Sequence, residues 1–228
     1  MRPRVSVFLA LSLDGFIAGE NGDLSWLEAF SSDSPDETGY TSLMNDIDVI
    51  VMGRNTYDTV IAFDPWPYAG KRMVVMTRRE LASRHGEEPF DGALTTLLGQ
   101  LAAQGHRHVY LDGGTTAREG IAAGVVDSIT LSWVPIVLGK GIPLFGNDLP
   151  QTRLQLDDTK RLLPSGDAGP VCLPGGIDAG VAMNAAPRAG AAWSSGQTGV
   201  TRLVVRQCGS KSCSSPDGGR SSTSLTAL

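Results

Sequence analysis

Short apolar runs alternate along the first 163 residues with segments whose apolar positions recur at helical spacing. The runs predict strands at residues 5–11, 49–52, 72–76, 109–111 and 128–134, and the helical spacing predicts helices at 38–45, 55–62, 94–104 and 115–123. Strands separated by helices indicate an α/β fold with a mostly parallel sheet and right-handed crossovers. Ligands of such sheets bind at the carboxyl ends of the strands. The loops that begin at Ser12, Gly53, Thr77 and Asp112 follow strands and are therefore expected at one edge of the sheet.

The strand at 109–111 turns through Gly113 and Gly114 into a helix. Glycine lets the backbone come close to an anion, and the free N–H groups of the first helical turn then face it. The positive end of the helix dipole adds to this attraction. The turn therefore favours a phosphate site, and a tight strand-to-helix turn without a ligand is the alternative.

Two further turns carry arginine. Gly53 and Arg54 join an apolar strand to a helix, which indicates either anion binding or a capped helix with a surface arginine. Thr77, Arg78 and Arg79 follow the next apolar strand. Guanidinium groups bind phosphate in a bidentate manner, so this tripeptide suits the phosphate monoester that distinguishes NADP from NAD. A solvated loop is the alternative.

The candidate acidic groups lie nearer the amino end. Asp14, beside Gly15, is either a turn former or a polar contact at the mouth of the pocket. Trp26 precedes Asp36 and Glu37. A carboxyl buried near a tryptophan has a raised pKa and can donate a proton. The alternative is that both acids stabilise the start of a helix through its dipole.

Several other site classes are excluded by their motifs. The chain has no Walker phosphate loop, no Rossmann glycine fingerprint after a strand and no nucleophile elbow. His106 and His108 lie two residues apart without a third ligand, so we expect solvated side chains and no metal site. The three cysteines have no metal-ligand spacing, and their odd number argues against a disulfide framework.

Composition bounds the partners and the domain. The net charge of −5 without a long basic run argues against nucleic acid, and no apolar stretch approaches the roughly 20 residues that a membrane span needs. The basic, then apolar start of the chain fits a buried strand better than a signal peptide, so we expect a cytoplasmic protein. From residue 164 on, glycine, serine and proline make up 26 of 65 positions. We therefore predict a folded domain at 1–163 and a disordered or poorly packed tail at 164–228, in which only residues 200–207 read as a strand.

An ordered set of motifs resembles the dihydrofolate-reductase-like superfamily, closest to the branch of the C-terminal reductase domain of the riboflavin-synthesis deaminase/reductase. The motifs are SLDGFIA at 12–18, MGRNTY at 52–57, DGG at 112–114, GVVD at 124–127, Pro135, LGKG at 138–141 and PLF at 143–145. Each is weak alone, but their order and spacing agree over residues 1–163. The resemblance implies a three-layer α-β-α fold and, from relatives, a homodimer.

The resemblance also implies an NADPH-dependent reductase acting on a small molecule, a phosphoribosylamino-pyrimidine in the riboflavin branch. A dihydrofolate or pterin reductase and a nucleotide-binding protein without catalysis are the alternatives. The loop at 14–26 would close over the nicotinamide, with Asp14, Trp26 and Glu37 in the catalytic set. The cofactor-binding set implied by the resemblance is Gly53, Arg54, Thr56, Thr77, Arg78, Arg79, Gly113, Gly114, Thr115 and Thr116.

Overall fold

A computed structural model describes residues 2–30, 38–146, 149–162 and 200–207. Its strands are β1 Arg4–Leu11, β2 Phe16–Ala18, β3 Val49–Gly53, β4 Arg72–Met76, β5 Glu88–Phe90, β6 His108–Asp112, β7 Ser128–Trp133, β8 Ile142–Pro143, β9 Leu154–Leu162 and β10 Val200–Gln207. Its α-helices are α1 Tyr40–Asp46, α2 Arg54–Val60, α3 Leu94–Ala103 and α4 Gly114–Ala122. Two 3₁₀ segments, Glu20–Gly22 and Ser25–Phe30, lie between β2 and α1.

Eight strands form one sheet in the order β5-β4-β3-β6-β1-β7-β10-β9. The first six of these are parallel to their neighbours, and β10 runs antiparallel to both β7 and β9. The mostly parallel sheet predicted from the sequence is therefore confirmed. Because β4, β3 and β6 are adjacent, the turns that follow them lie side by side at one edge.

The sheet carries a helix layer on each face, which completes the predicted three-layer fold. On one face α3 and α4 pack on β1, β3, β6 and β7, with Leu98, Ile121 and Leu111 among the buried side chains. On the other face α1 and α2 cover β3, β4 and β6, with Tyr57 and Met52 buried. Strands buried on both faces are apolar throughout, which explains why β3 and β4 read as continuous apolar runs.

The segment at 14–26, predicted as a loop, contains strand β2, which pairs with β8 in a small second sheet. Strand β9, which the sequence analysis did not predict, forms the edge of the main sheet. The centre of β9 reads Asp157-Asp158-Thr159-Lys160 and is exposed. The sequence therefore has no apolar run there that would predict a strand.

Strand β10 comes from the segment that the sequence analysis separated from the domain. It lies between β7 and β9, with Leu203 opposite both Leu131 and Thr159, and Val205 is buried in the core. Leu203 and Val205 point to the same face of the sheet, where Val205 joins the core. The boundary at residue 163 therefore leaves out one strand of the sheet, and the other residues of 164–228 lie outside the described ranges.

His108 is buried, so the expectation of a solvated side chain was wrong for this residue. Its ring bridges the hydroxyl of Ser6, 2.8 Å from Nε2, and the carboxylate of Asp46, 2.9 Å from Nδ1. Among the described residues, no helix is both long and apolar enough to cross a membrane.

Candidate functional site

A cleft of about 310 Å³ opens where β3, β4 and β6 end. It is bounded by the first residues of α2, by the loop after β4 and by the first turn of α4. The predicted cofactor-binding residues that line it are Gly53, Arg54, Thr56, Thr77, Arg78, Thr115 and Thr116. The structure thus brings together three turns that are up to 63 residues apart in the sequence.

Gly113 lies against Thr56, which lines this cleft, but is not itself one of the lining residues. Its φ of 85° and ψ of 155° are open to glycine and strained for other residues. A Cβ there would lie 2.1 Å from Thr56 Oγ1, so the turn after β6 and the start of α2 touch only because the side chain is absent. Gly114 is equally crowded, since a Cβ there would lie 2.4 Å from Ile17 Cδ1.

The two threonines that follow have different environments. Thr115 is exposed at the first turn of α4 and faces the cleft. Thr116 is buried, and its hydroxyl donates to the backbone oxygens of Asp112, at 2.5 Å, and Gly113, at 3.0 Å. Thr116 therefore holds the shape of the turn, whereas Thr115 has its hydroxyl on the accessible side.

The neighbouring arginines Arg78 and Arg79 point to different places. Arg78 lines the cleft, its side chain is 90% exposed, and its Nε lies 3.4 Å from Asp91. Arg79 lies outside the cleft lining, with its Nη2 3.6 Å from Asp58 on α2. Asp58 also accepts a 2.7 Å hydrogen bond from Nε of Arg54. Of the two arginines, Arg78 is thus the one whose exposed side chain lines the cleft.

Asp14 joins two loops. Its carboxylate accepts hydrogen bonds from Ser12 Oγ at 2.7 Å, from the Leu138 N–H at 3.1 Å and from the Gly139 N–H at 2.7 Å. Although desolvation opposes ionisation, these donors hold the pKa of Asp14 below its ordinary value. An ionised carboxylate used in this way has no proton to give, so its contacts assign Asp14 a loop-anchoring role.

Trp26 is buried, and its indole N–H has no hydrogen-bond partner among the described residues. A buried donor without a partner is costly, and a bound water or a ligand group would remove this cost. Asp36 and Glu37 lie outside the described residues, so the assignment of Glu37 stays a prediction.

A buried carboxyl that the sequence analysis treated only as part of a turn lies next to this cleft. Asp112 ends β6, directly before Gly113, and is nearly inaccessible. Tyr68 donates to its Oδ2 at 2.5 Å, and Tyr110 donates to its Oδ1 at 3.1 Å. Burial raises the pKa of Asp112 above the ordinary aspartate value, even though both tyrosines stabilise the carboxylate.

Tyr40 extends this cluster to helix α1. Its hydroxyl lies beside that of Tyr68, which donates its own proton to Asp112. Burial raises the pKa of Tyr40 to about 12 and that of Tyr68 further, so both stay protonated donors at neutral pH. The aspartate before the two glycines was visible in the sequence, but its partner Tyr68 lies 44 positions away.

Comparison with known proteins adds a family to this geometry. Residues 3–165 match the family model of the RibD C-terminal domain. The uncharacterized protein YwjB of Bacillus subtilis is 29% identical over 165 residues, covering 71% of this chain and 93% of YwjB. The riboflavin biosynthesis protein RibD of Corynebacterium ammoniagenes is 27% identical over 166 residues, which is 66% of this chain and 48% of RibD.

Solved structures agree with the fold. A proposed riboflavin biosynthesis protein from Shewanella sp. PV-4 has a TM-score of 0.68 at 27% identity, over 91% of this chain and 99% of the other. The deaminase/5-amino-6-(5-phosphoribosylamino)uracil reductase of Thermotoga maritima has a TM-score of 0.56 at 14% identity, over 91% and 57% of the chains. Dihydrofolate reductase from Enterococcus faecalis, complexed with NADP(H), has a TM-score of 0.55 at 13% identity, over 90% of this chain and 96% of the other. At these low identities the last two show a shared fold alone.

Proposed function

The chain belongs to the RibD C-terminal domain family, and we propose that it is an NADPH-dependent reductase that acts on a phosphoribosylamino-pyrimidine of riboflavin biosynthesis. The observation that carries this proposal is the cleft at the ends of β3, β4 and β6, where glycine turns and an exposed arginine meet. The activity is the one that the name of the Thermotoga maritima neighbour states.

The residues of the cleft fit a phosphorylated dinucleotide. The absent side chain at Gly113 lets the turn before α4 lie against Thr56, and the N–H groups of the first turn of α4 place the positive end of its dipole at this cleft. Gly53 has no atom within 4 Å of its own missing Cβ, so a diphosphate has room to approach the backbone there. Thr56 and Thr115 offer hydroxyls beside these turns.

We assign the 2′-phosphate of the adenosine to Arg78. Its guanidinium is exposed in the cleft beside Thr77, and the solvent-exposed contact to Asp91 is weak enough to be exchanged for a phosphate. Arg79 supports this end indirectly, through Asp58, which also holds Arg54. The sequence analysis predicted that both arginines bind the phosphate, and we now propose this role for Arg78 alone.

Reduction of a C=O or C=N bond takes up one hydride and one proton. NADPH, when bound, supplies the hydride. We propose that Asp112 holds the proton, because burial raises its pKa and it lies next to the glycine turn. Tyr68 and Tyr110 fix the position of its two oxygens. The indole N–H of Trp26, which has no hydrogen-bond partner in the part of the chain that the structure describes, is the candidate for orienting the substrate.

The test begins with the cofactor. NADPH and NADH are titrated into the wild type, Arg78→Ala and the matched control Arg79→Ala, with protein fluorescence as the signal. We expect Arg78→Ala to weaken NADPH by about 10- to 100-fold, as loss of a charge-assisted contact of about 1.5–3 kcal/mol implies, and to leave NADH nearly unchanged. Equal losses for both cofactors would remove the 2′-phosphate assignment, and a wild type that binds neither would end the proposal.

Turnover then separates the alternatives. Absorbance at 340 nm is followed with the pyrimidine substrate and, separately, with dihydrofolate. Oxidation of NADPH with the pyrimidine alone is the expected result. NADPH binding without turnover on either substrate would instead favour a nucleotide-binding protein. The homodimer and the cytoplasmic location stay predictions, which sedimentation and cell fractionation test.

A further inference from the structure

Arg202 on β10 reaches the residues that precede helix α1. Its Nη1 donates to the backbone oxygen of Thr38 at 2.9 Å, and its Nη2 donates to Asp158 Oδ2 on β9 at 3.0 Å. The side chain is 18% exposed. A Cβ at Gly39 would lie 2.7 Å from Nη1, so the guanidinium occupies room that the glycine leaves. One side chain therefore links the C-terminal strand to the start of α1.

The backbone that Arg202 holds determines where Tyr40 lies. Gly39 has a left-handed φ of 84°, and its oxygen accepts the first helical hydrogen bond, from the Leu43 N–H at 3.1 Å. The Tyr40 N–H bonds to Thr38 Oγ1 at 3.2 Å. Tyr40 follows directly, and its hydroxyl lies beside that of Tyr68. A shift of the Thr38 peptide would therefore move Tyr40 relative to Tyr68.

The Tyr40 ring also packs edge-on against Phe8, with centroids 5.4 Å apart. Phe8 in turn offers its backbone oxygen to the hydroxyl of Tyr110, at 3.0 Å. Tyr40, at the start of α1, is thus in contact with Tyr68 directly and with Tyr110 through Phe8. Tyr68 and Tyr110 are the two tyrosines that bond to Asp112. The contacts form one continuous chain from Arg202 to the buried carboxyl.

Arg202 is poorly explained by stability alone. Its Nε is buried and has no partner among the described residues, and the side chain of its ion-pair partner Asp158 is 56% exposed. An unsatisfied buried donor is unfavourable, and apolar residues of similar volume often replace buried ion pairs without loss of stability. Here the arginine donates a directional hydrogen bond to one carbonyl oxygen, which an apolar residue cannot do.

We propose that Arg202 is a positioning residue for the reduction: it fixes the start of α1 and, through Tyr40 and Tyr68, the proton-holding Asp112. The proposal rests on the proposed function for its catalytic part. Its structural part, the ordering of α1 by a residue of β10, stands independently of any activity.

The test compares Arg202→Met with Arg206→Met. Arg206 lies on the same strand, its side chain is 60% exposed and it is ion-paired to Asp157, so its replacement controls for the loss of a β10 arginine. Hydrogen exchange of the Leu43 and Ile47 amides, whose acceptors are Gly39 and Leu43, reports the order of α1. We expect exchange to quicken at least about tenfold in Arg202→Met and to stay unchanged in Arg206→Met.

In Arg202→Met the melting temperature should stay within about 3 °C of the wild type. We expect kcat to fall by about 10- to 100-fold with unchanged NADPH affinity, and its pH profile to shift. Arg202→Lys, which keeps one donor for Thr38, should restore part of both kcat and protection. If Arg202→Met does not fold, Asp158→Asn replaces it, with quicker exchange again expected, because it removes the charge that aligns Nη2.

Unchanged exchange at Leu43 in Arg202→Met would overturn the proposal, and so would equal effects of Arg206→Met. Failure of the proposed function is distinguishable, because it would leave NADPH unbound or unoxidised by the wild type while the exchange difference persists. Quicker exchange with unchanged kcat and pH profile in an active enzyme would overturn the catalytic part alone.

Discussion

Replacing Gly113 by alanine tests the geometry of the cleft most directly. At φ 85° and ψ 155° an L-residue is strained by about 1–3 kcal/mol. The new methyl would also lie 2.1 Å from Thr56 Oγ1 and 3.1 Å from its Cγ2, and overpacking of this kind costs about 1–3 kcal/mol. The sum, about 2–6 kcal/mol, is a large share of the 5–15 kcal/mol by which folded domains are ordinarily stable.

Urea unfolding measures this loss, and NADPH titration measures the accompanying loss of affinity, which we expect to exceed tenfold. Gly99→Ala is the matched control, because Gly99 lies on an exposed position of α3 with no atom within 4 Å of the new methyl. It should gain about 0.5–1 kcal/mol. Adding Thr56→Ala to Gly113→Ala should recover the steric part and leave the backbone strain. If Gly113→Ala unfolds within 0.5 kcal/mol of the wild type, roughly the limit of a neutral change, the reasoning fails.

Three further outcomes follow from the same contacts. Burial raises the pKa of Asp112 when the chain folds, so the folded state binds this proton more tightly. The free energy of unfolding should therefore fall as the pH rises from about 4 towards the raised pKa. Urea unfolding at several pH values should show a weaker dependence of this free energy on pH for Asp112→Asn. Desolvation opposes ionisation of Asp14, but its hydrogen-bond donors, Ser12 foremost, lower its pKa. The stability that ionised Asp14 contributes should therefore be complete at pH 7 and be lost as the pH falls through this lowered pKa. Asp14→Asn should then cost about 1 kcal/mol at pH 7, and an equal cost at pH 2 would contradict this. Ending the chain at residue 163 removes β10 and should lower the melting temperature by about 10 °C, as a loss of about 3–5 kcal/mol implies; an unchanged melt would show the strand to be dispensable.

The parts of the fold that the sequence predicts are those whose burial is decided locally. Strands β3 and β4 are covered by helices on both faces, and their apolar runs have no other favourable arrangement. The turns after them carry Gly53 and Arg78, and adjacency of parallel strands then brings these turns together without any further information. The location of the cleft at the carboxyl ends of the strands is therefore predictable, whereas the strand order that makes β4, β3 and β6 neighbours is known only from the structure.

The parts that escape prediction depend on contacts distant in sequence. Strands β2 and β8 are three and two residues long, and only their mutual pairing makes them strands. The separation of Arg78 from Arg79 follows from Asp58, which lies on a helix 20 residues earlier. Residues 200–207 read as a strand, but nothing in their pattern indicates that they insert between β7 and β9 rather than extend an edge.

Strand β6 explains how one element serves both parts of the candidate site. Its odd-numbered residues Val109 and Leu111 enter the apolar core under α3 and α4, whereas Tyr110 and Asp112 face the layer of α1 and α2. A buried polar row is tolerable because each member has a partner on that face. The backbone oxygen of Asp112 meanwhile accepts from Thr116 and shapes the glycine turn. The glycine turn and the buried carboxyl therefore share Asp112, so a displacement of either should be felt by both.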